Sequence, residues 1–221
     1  MKLLIKFPTR NRKTKFLTTL RKYYNFLSKK NDVTFLITMD EDDIEMNNDF
    51  VKEILNTYNN LIYFYGNSKT KVEAINKDIE KIEDWDIVLL ASDDMIPTVK
   101  GYDDIIINEM KNNFPDTDGV LWFNDGYQGN KLNTLSILGK KYYERFGYIY
   151  NPEYKSVWSD NEFMLVANIL GKQKYFDNVI IKHEHPDWGF GNRDQIHQEN
   201  MKNESSDKDI FIKNKSTNFG L

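Results

Sequence analysis

The amino-acid sequence predicts an α/β fold in which helices flank a mostly parallel central sheet. In the first hundred residues, short apolar runs alternate with segments whose apolar residues recur at helical spacing. Helices of this length join parallel strands by right-handed crossovers. No internal repeat or long linker divides the 221 residues. We therefore expect a single domain, with residues 1–100 as its first half and residues 101–221 as an elaboration that ends in a polar tail.

The elements follow in order along the chain. The runs LLIKF, VTFLITM, LIYFY and DIVLLA predict strands at residues 3–7, 33–39, 61–65 and 86–91. Apolar stripes between them predict helices at 13–27, 50–58 and 72–82. The second half is less regular, with helices predicted at 102–114 and 160–170 and strands at 119–123, 134–139 and 179–182.

The composition excludes several classes of function. The chain has no cysteine, which excludes disulfides, thiolate metal sites and a cysteine nucleophile. Its net charge of −4 is no overall electrostatic match to DNA or anionic lipid. No stretch approaches the roughly 18 apolar residues that a membrane helix requires. We therefore expect a cytoplasmic protein with no membrane insertion.

Polar residues cluster where the predicted parallel strands end, which is where such sheets bind ligands. PTRNR follows the first strand, DEDD the second and SDD the fourth. Asp93 and Asp94 repel each other unless a cation or a set of donors neutralises them. They fit either a divalent cation held by oxygen ligands or a simple cap of the next element. DEDD does not begin an EF-hand, because Glu45 and Val51 stand where that loop requires Gly and Glu.

The segments PTRNR, MDEDD, SKTKVEAIN and IVLLASDDMIP, in this order, resemble the GT-A-fold glycosyltransferases of the family-two type. The resemblance implies a Rossmann-like fold, a nucleoside-diphosphate sugar (UDP-sugar here) as donor, and Mn²⁺ or Mg²⁺ as the metal. Ala91 departs from the stricter acidic motif and leaves the form SDD. The resemblance implies that Asp94 binds the metal and that the donor is contacted by Pro8, Thr9, Arg10, Arg12, Asp40, Asp42, Lys71, Ser92 and Asp93.

Some of these assignments carry alternatives. Either Asp40 or Asp42 matches the acidic residue that reads the base, and we favour Asp40 because it follows the strand directly. Arg12 is close enough to serve a phosphate. A solvated basic helix start is the alternative for Arg10, Arg12, Lys13 and Lys15, and we prefer it for the two lysines. For Lys71, a solvated helix lysine is about as consistent as a contact near the base.

The segment SVWSDNEFML begins a predicted helix, and in the resembling family an acidic residue at this point acts as the catalytic base. Ser159 and Glu162 have the spacing of a capping box, which accounts for Glu162 without chemistry. Asp160 is then the candidate base, and the helix N-terminus is expected to keep it ionised. Asp125, in FNDGYQG, is the rival base or an acceptor-binding group.

The segment IKHEHPDWGFG places two histidines after the last predicted strand. A surface pair without a role is the default interpretation. The resemblance implies instead that one of them completes the coordination of the metal, since imidazole suits Mn²⁺ beside a carboxylate. His183 and His185 share a face of an extended strand, so the spacing does not choose, and we favour His183. Trp188, Gly189 and Gly191 resemble a mobile loop that closes over the sugar.

We therefore expect a metal-dependent, inverting glycosyltransferase with a donor-binding first half and an acceptor-binding second half. A nucleotidyltransferase is the alternative enzyme, although PTRNR lacks the glycines of its phosphate loop. A catalytically silent nucleotide-binding module is the third possibility. The acceptor stays open between a glycan, a protein, a lipid head group and a modified base in DNA.

Overall fold

The protein folds around a seven-stranded sheet, and the structure, a computed structural model, describes residues 1–185, 189 and 194–221. The strands are β1 (Leu3–Pro8), β2 (Val33–Asp40), β3 (Leu61–Gly66), β4 (Ile87–Leu90), β5 (Met95–Pro97), β6 (Val120–Phe123), β7 (Ile137–Gly139), β8 (Gln173–Phe176) and β9 (Ile181–His183). The helices are α1 (Lys13–Phe26), α2 (Asp49–Leu55), α3 (Lys71–Asn76), α4 (Tyr102–Asn113), α5 (Lys140–Glu144), α6 (Ser159–Ile169), α7 (Gln195–Met201) and α8 (Glu204–Ser216).

Four parallel strands form the first half of the sheet, in the order β3-β2-β1-β4. Beyond β4, strand β7 runs antiparallel to both β4 and β6, and β8 runs parallel to β6. A separate two-stranded sheet pairs β5 with β9 and sets Met95 opposite His183. The predicted mostly parallel sheet flanked by helices is confirmed.

The central strands are buried on both faces, as is usual for parallel strands covered by helices. Successive side chains of β1 point to opposite faces, so that Leu3, Ile5 and Phe7 enter one core together with side chains of α1 and α4. Leu4 enters the second core, to which α3, α5, α6 and α8 contribute. Because helices cover both faces, the strand ends are where the sheet is open to ligands.

The C-terminal segment is more ordered than the sequence indicated. Instead of the expected polar tail after Gly191, residues 195–201 and 204–216 form the helices α7 and α8. Helix α8 buries only Asp207 and Phe211, and α7 buries no residue. Neither helix therefore has the apolar stripe by which a helix is recognised in a sequence.

One predicted helix is interrupted. The stripe at 72–82 predicted a continuous helix, but α3 ends at Asn76 and a 3₁₀ turn follows at Ile79–Lys81. Asp78, between them, has a φ of 70°, and this left-handed conformation stops an α-helix. Its buried carboxylate accepts a hydrogen bond of 2.7 Å from the hydroxyl of Thr38.

Among the described helices, none is long and apolar enough to cross a membrane.

Candidate active site

A cleft of about 850 Å³ opens at the carboxyl ends of β1, β2 and β4. Residues from the starts of α3 and α6 and from α7 complete its walls. The predicted site residues that line it are Pro8, Thr9, Arg10, Arg12, Asp40, Lys71, Ser92, Asp93, Asp94, Asp160, His183 and His185. Of the other two, Asp42 is exposed and bound by Arg10, and Asp125 is buried behind His183.

Asp40 lies buried at the end of β2, between a guanidinium and a backbone amide. Arg10 Nη1 donates to Asp40 Oδ2 at 2.8 Å, and the amide of Ser68 donates to Oδ1 at 2.9 Å. The same guanidinium binds both oxygens of Asp42, at 2.6 and 2.9 Å. The Asp42 side chain is 72% exposed, whereas that of Asp40 is 8% exposed. Asp40 is therefore the better placed of the two to meet a ligand inside the cleft.

Two buried hydroxyls accompany Asp40 in the cleft. Within the described part of the chain, neither Thr9 Oγ1 nor Ser68 Oγ has a hydrogen-bond partner. Ser68 adjoins Asp40 through its own amide, and the amide of Thr9 is tied to the carbonyl of Thr38 at 3.0 Å. Buried polar groups in folded proteins are almost always hydrogen-bonded. These hydroxyls are therefore available to a ligand.

Asp93 and Asp94 follow β4 but face different partners. Arg12 Nη1 donates to Asp93 Oδ1 at 3.0 Å, and its Nε and Nη2 form a fork of two 2.8 Å bonds with Asp194. Burial raises the pKa of Asp93 to about 6, although the charge of Arg12 opposes the shift. Burial also acts to raise the pKa of Asp94, but His183, the Ser92 hydroxyl and Lys71 together hold it below its usual range. Asp94, the carboxylate that faces the histidines, therefore stays ionised to a lower pH than Asp93.

Asp94, His185 and His197 form a cluster that could hold a metal ion, because each offers a ligand atom within 4.8 Å of the others. The pairing of β5 with β9 brings the histidine segment to Asp94, and the amide of Glu184 donates to the Asp94 carbonyl at 2.7 Å. His183 Nε2 lies 3.7 Å from Asp94 Oδ2. The two candidates that the sequence left open thus both lie close to Asp94, and it is His185 that joins the cluster.

His197 is the site residue that the sequence analysis missed. It lies in α7, where the helix cap Asp194 accepts from its amide at 3.0 Å and contacts its Nδ1 at 2.7 Å. The only signal in DQIHQENM is an aspartate that can cap a helix, and the composition of the segment otherwise predicts a polar tail. Arg12 binds Asp194, contacts His197 Nδ1 through Nη2 at 2.8 Å, and thereby joins α7 to the Asp93–Asp94 pair.

Asp160 lies in the first turn of α6, facing the cleft. The amide of Asn161 donates to its Oδ1 at 2.9 Å. The sequence indicated that the helix N-terminus would keep this carboxylate ionised. Burial raises its pKa, and the opposing charge of Lys71 and the backbone hydrogen bonds do not cancel that effect. A raised pKa suits a group that has to take up a proton near neutral pH.

The predicted capping box at α6 is wrong. Trp158, with a φ of 64°, is the cap residue, and Ser159 is the first residue of the helix. Glu162 is buried and accepts 2.7 Å hydrogen bonds from the side-chain Nδ2 of Asn151 and the hydroxyl of Tyr154. It therefore fastens the preceding loop to the helix.

Asp125 occupies a turn in which its carboxylate already has three donors. The amides of Tyr127 and Gln128 donate to Oδ1 at 2.9 and 2.7 Å, and the hydroxyl of Thr134 donates to Oδ2 at 2.6 Å. His183 Nδ1 lies 3.9 Å from Oδ2. Such a carboxylate stabilises its loop. Of the predicted closing loop, Trp188 and Gly191 lie outside the described residues, and Gly189 is an exposed turn residue with a φ of 89°.

Comparison with known proteins finds structures of the same fold. No protein-family model and no curated protein matches the sequence. The mannosyltransferase PcManGT from Pyrobaculum calidifontis, in complex with GDP-Man and Mn²⁺, matches with a TM-score of 0.68 and 13% identity over 86% of this chain and 58% of its own. TarS from S. aureus, in complex with UDP, matches with a TM-score of 0.64 and 16% identity, over 82% of this chain and 60% of its own. A Drosophila β1,4-galactosyltransferase 7 with manganese, UDP-Gal and xylobiose matches with a TM-score of 0.54 and 12% identity, over 89% of this chain and 78% of its own.

A structure of another class matches as well. The 4-diphosphocytidyl-2C-methyl-D-erythritol synthase from Anaerococcus prevotii has a TM-score of 0.53 and 15% identity over 80% of this chain and 86% of its own. The chain spans less than two thirds of the mannosyltransferase and TarS structures. At these identities the likeness shows the shared fold. The chain therefore has the GT-A fold, as the resemblance in its sequence predicted.

Proposed function

We propose that the protein is a metal-dependent glycosyltransferase that transfers a sugar from a UDP-sugar to an acceptor hydroxyl with inversion. One observation carries the proposal. A single cleft of about 850 Å³ is lined by the acidic residue of β2, by the carboxylate–histidine cluster and by a separate carboxylate at the start of α6. These three groups correspond in order to the nucleoside, the diphosphate and the acceptor of such a reaction.

The donor set at Asp94 fits the metal that the fold family implies. One carboxylate and two imidazoles, from His185 and His197, suit Mn²⁺ better than Mg²⁺, which prefers oxygen ligands. When bound there, the ion would neutralise the charge that develops on the leaving diphosphate. Asp94 brings the negative charge of the set, and Ser92 and His183 hold its carboxylate in place. We therefore assign His183 to orientation and His185 and His197 to coordination.

The nucleoside end of the cleft supports uracil as the base. Uracil presents one N–H donor between two carbonyl oxygens, and Asp40 offers an acceptor accompanied by the free hydroxyls of Thr9 and Ser68. A hydroxyl can donate to either uracil carbonyl, whereas the carboxylate can accept only from the N–H. Arg10 and the backbone amide of Ser68 fix the orientation of Asp40 by one hydrogen bond to each oxygen, and each oxygen keeps a second lone pair for a ligand.

Asp160 is the best placed base for the acceptor. It faces the cleft, whereas the carboxylate of Asp125 is taken up by three donors. In the reaction, Asp160 accepts the proton of the acceptor hydroxyl while that oxygen attacks the anomeric carbon from the side opposite the diphosphate. The bond between the anomeric carbon and the diphosphate oxygen breaks, and UDP leaves with the electron pair. Direct displacement of this kind needs one base and no enzyme nucleophile, and it inverts the anomeric configuration. Lys71, whose charge acts on both Asp94 and Asp160, contributes positive charge between the two ends of the site.

The proposal is tested by thermal denaturation with nucleotides, followed by a turnover assay. UDP should raise the melting temperature in Mn²⁺ and much less in EDTA, and it should do so more than GDP or CDP. A panel of UDP-sugars should then release UDP when acceptors are supplied. If no nucleoside diphosphate shifts the melting temperature in Mn²⁺, the proposed donor site does not exist.

A nucleotidyltransferase is the second candidate, because the Anaerococcus prevotii synthase shares the fold. The two reactions release different products. A glycosyltransferase releases a nucleoside diphosphate from its donor, whereas a nucleotidyltransferase releases pyrophosphate from a nucleoside triphosphate. Pyrophosphate release from UTP or CTP with a sugar or polyol phosphate, without turnover of any nucleotide sugar, would favour the second candidate. Binding of UDP without either product would indicate a silent nucleotide-binding module.

A further inference from the structure

Asp207 of α8 is a fully buried carboxylate outside the cleft lining, with 0% of its surface exposed. It accepts hydrogen bonds from three consecutive backbone amides, those of Lys155 at 3.1 Å, Ser156 at 2.9 Å and Val157 at 3.0 Å. A buried charge is costly unless donors surround it. Here the chain supplies them by bending one loop around a single side chain.

The loop that Asp207 holds leads directly into the candidate base. Residues 155–157 are followed by Trp158 in the left-handed conformation, φ 64°, and then by the first turn of α6 with Asp160. A tryptophan at such a φ is strained, and it persists only where its surroundings determine it. The ring of Phe211, one turn after Asp207 on α8, packs on Trp158 with the ring centroids 5.1 Å apart.

The same loop is also tied to the donor side of the cleft. The amide of Val72, next to Lys71 in α3, donates to the carbonyl of Lys155 at 3.1 Å. The hydroxyl of Ser156 donates to the carbonyl of Asn200 in α7 at 2.7 Å. The loop therefore meets three helices, and Asp207 provides the buried charge at its centre.

We propose that Asp207 is a positioning residue that fixes the 155–157 loop, and through it the placement of Asp160 against the acceptor. The inference rests on the proposed function, since it takes Asp160 as the base. Asp207 itself touches no reacting atom. Its carboxylate sets the direction of the backbone that enters α6, and a misplacement of a base by about 1 Å can cost on the order of a hundredfold in rate.

Asp207→Asn is the test variant, because it keeps the size of the side chain but turns one acceptor into a donor that faces backbone amides. We expect kcat for transfer to fall by about 10- to 100-fold, while the KM for the UDP-sugar stays within about threefold. Asp209→Asn, an exposed aspartate of the same helix, is the matched control and should match the wild type. A lowered melting temperature with an unchanged kcat, measured well below that temperature, would reduce Asp207 to a purely structural role.

A double-mutant cycle shows whether Asp207 acts through Asp160. If it does, Asp207→Asn should lower the residual rate of the Asp160→Asn protein by less than about twofold, because the positioned group is already gone. Full multiplication of the two effects would overturn the inference.

Amide hydrogen exchange decides the question independently of turnover. Asp207→Asn should accelerate exchange of the amides at 155–161 by at least about tenfold and leave those of β1 and β4 unchanged. Unchanged exchange at 155–161 would overturn the inference whether or not the protein has transferase activity. If exchange accelerates in a protein that shows no transfer, Asp207 still fixes the loop, and the missing activity overturns only the proposed function. If Asp207→Asn does not fold, Ser156→Ala, which removes only the hydroxyl contacts, should show the same exchange pattern at smaller amplitude.

Discussion

Replacing Asp160 with Asn separates catalysis from stability at the start of α6. The hydrogen bond from the amide of Asn161, at 2.9 Å, can be accepted equally well by the oxygen of an asparagine side chain. The substitution removes a negative charge from the helix N-terminus, which costs about 0.3 to 1 kcal/mol. It also removes the unfavourable burial of that charge. The net change in the free energy of unfolding should stay within about 1 kcal/mol.

The pH dependence gives the sign of this balance. Burial raises the pKa of Asp160 in the folded protein, so the contribution of this group is most favourable below its unfolded pKa and is lost as the pH rises through the folded pKa. At neutral pH the ionised carboxylate therefore costs stability, and the asparagine variant should be as stable as the wild type or slightly more stable.

Transfer to the acceptor should nevertheless fall by roughly two to four orders of magnitude, the range for loss of a general base. The assay is the initial rate of UDP release at saturating donor and acceptor, over a range of pH. The wild-type rate should decline on the acid side at a higher pH than an ordinary aspartate would give, and that decline should disappear in the variant. Stabilisation by UDP and Mn²⁺ should be the same in both proteins.

Asp125→Asn is the informative comparison for Asp160→Asn, because it changes the rival candidate for the base. Glu162→Gln is not a neutral control, because the buried Glu162 carboxylate accepts hydrogen bonds from the side chains of Asn151 and Tyr154. Asp125 accepts three hydrogen bonds, so its replacement should lower the stability by about 1 to 3 kcal/mol. Its effect on transfer at a permissive temperature should be small. Normal transfer by Asp160→Asn together with loss of transfer in stable Asp125→Asn would refute the assignment of the base.

Three further substitutions test the donor site and the core. Asp94→Ala should abolish the Mn²⁺-dependent part of the stabilisation by UDP, whereas Asp84→Ala, at a side chain that is 77% exposed, should retain it. Asp93→Asn should weaken UDP binding. It should nevertheless raise the free energy of unfolding at pH 8 in EDTA by about 1 to 3 kcal/mol, because the wild-type carboxyl has a pKa of about 6 and loses its favourable contribution as the pH rises through that value. This gain should vanish below pH 4. Lys6 is buried in β1, where its Nζ donates to the hydroxyl of Thr38 and, at 2.7 Å, to the carbonyl of Lys77, so Lys6→Met should leave these groups without their donor and lower the free energy of unfolding by about 1 to 3 kcal/mol near pH 9. Because burial lowers the pKa of Lys6 to about 7, the loss should be smaller at pH 6 in denaturant titrations.

The first half of the fold could be predicted because its signals are local. The runs that became β1, β2 and β4 are almost wholly apolar, since both faces of these strands are buried. The polar residues that follow them could be placed together because parallel strands end at one edge of the sheet. The grouping of Asp40 with Asp94 was therefore accessible from the sequence.

The remainder depends on contacts between distant segments. His197 reaches Asp94 because α7 is anchored to Arg12, which binds Asp194 across 182 positions of the chain and also contacts His197 itself. Helix α8 buries two residues, one of them charged, so its sequence reads as polar although it holds the 155–157 loop. Strand β8 is a half-buried edge strand of four residues, too short and too polar to be recognised. The spacing of Ser159 and Glu162 suggested a capping box, but the strained backbone at Trp158 moved the helix start by one residue.

The most direct test of the proposed site is a crystal structure of the protein with UDP and Mn²⁺, with the metal located by its anomalous scattering. We expect one strong peak in contact with Asp94, His185 and His197, and a uracil ring whose N–H faces Asp40. A peak elsewhere in the cleft, or a nucleotide whose base lies away from Asp40, would contradict the proposed donor site.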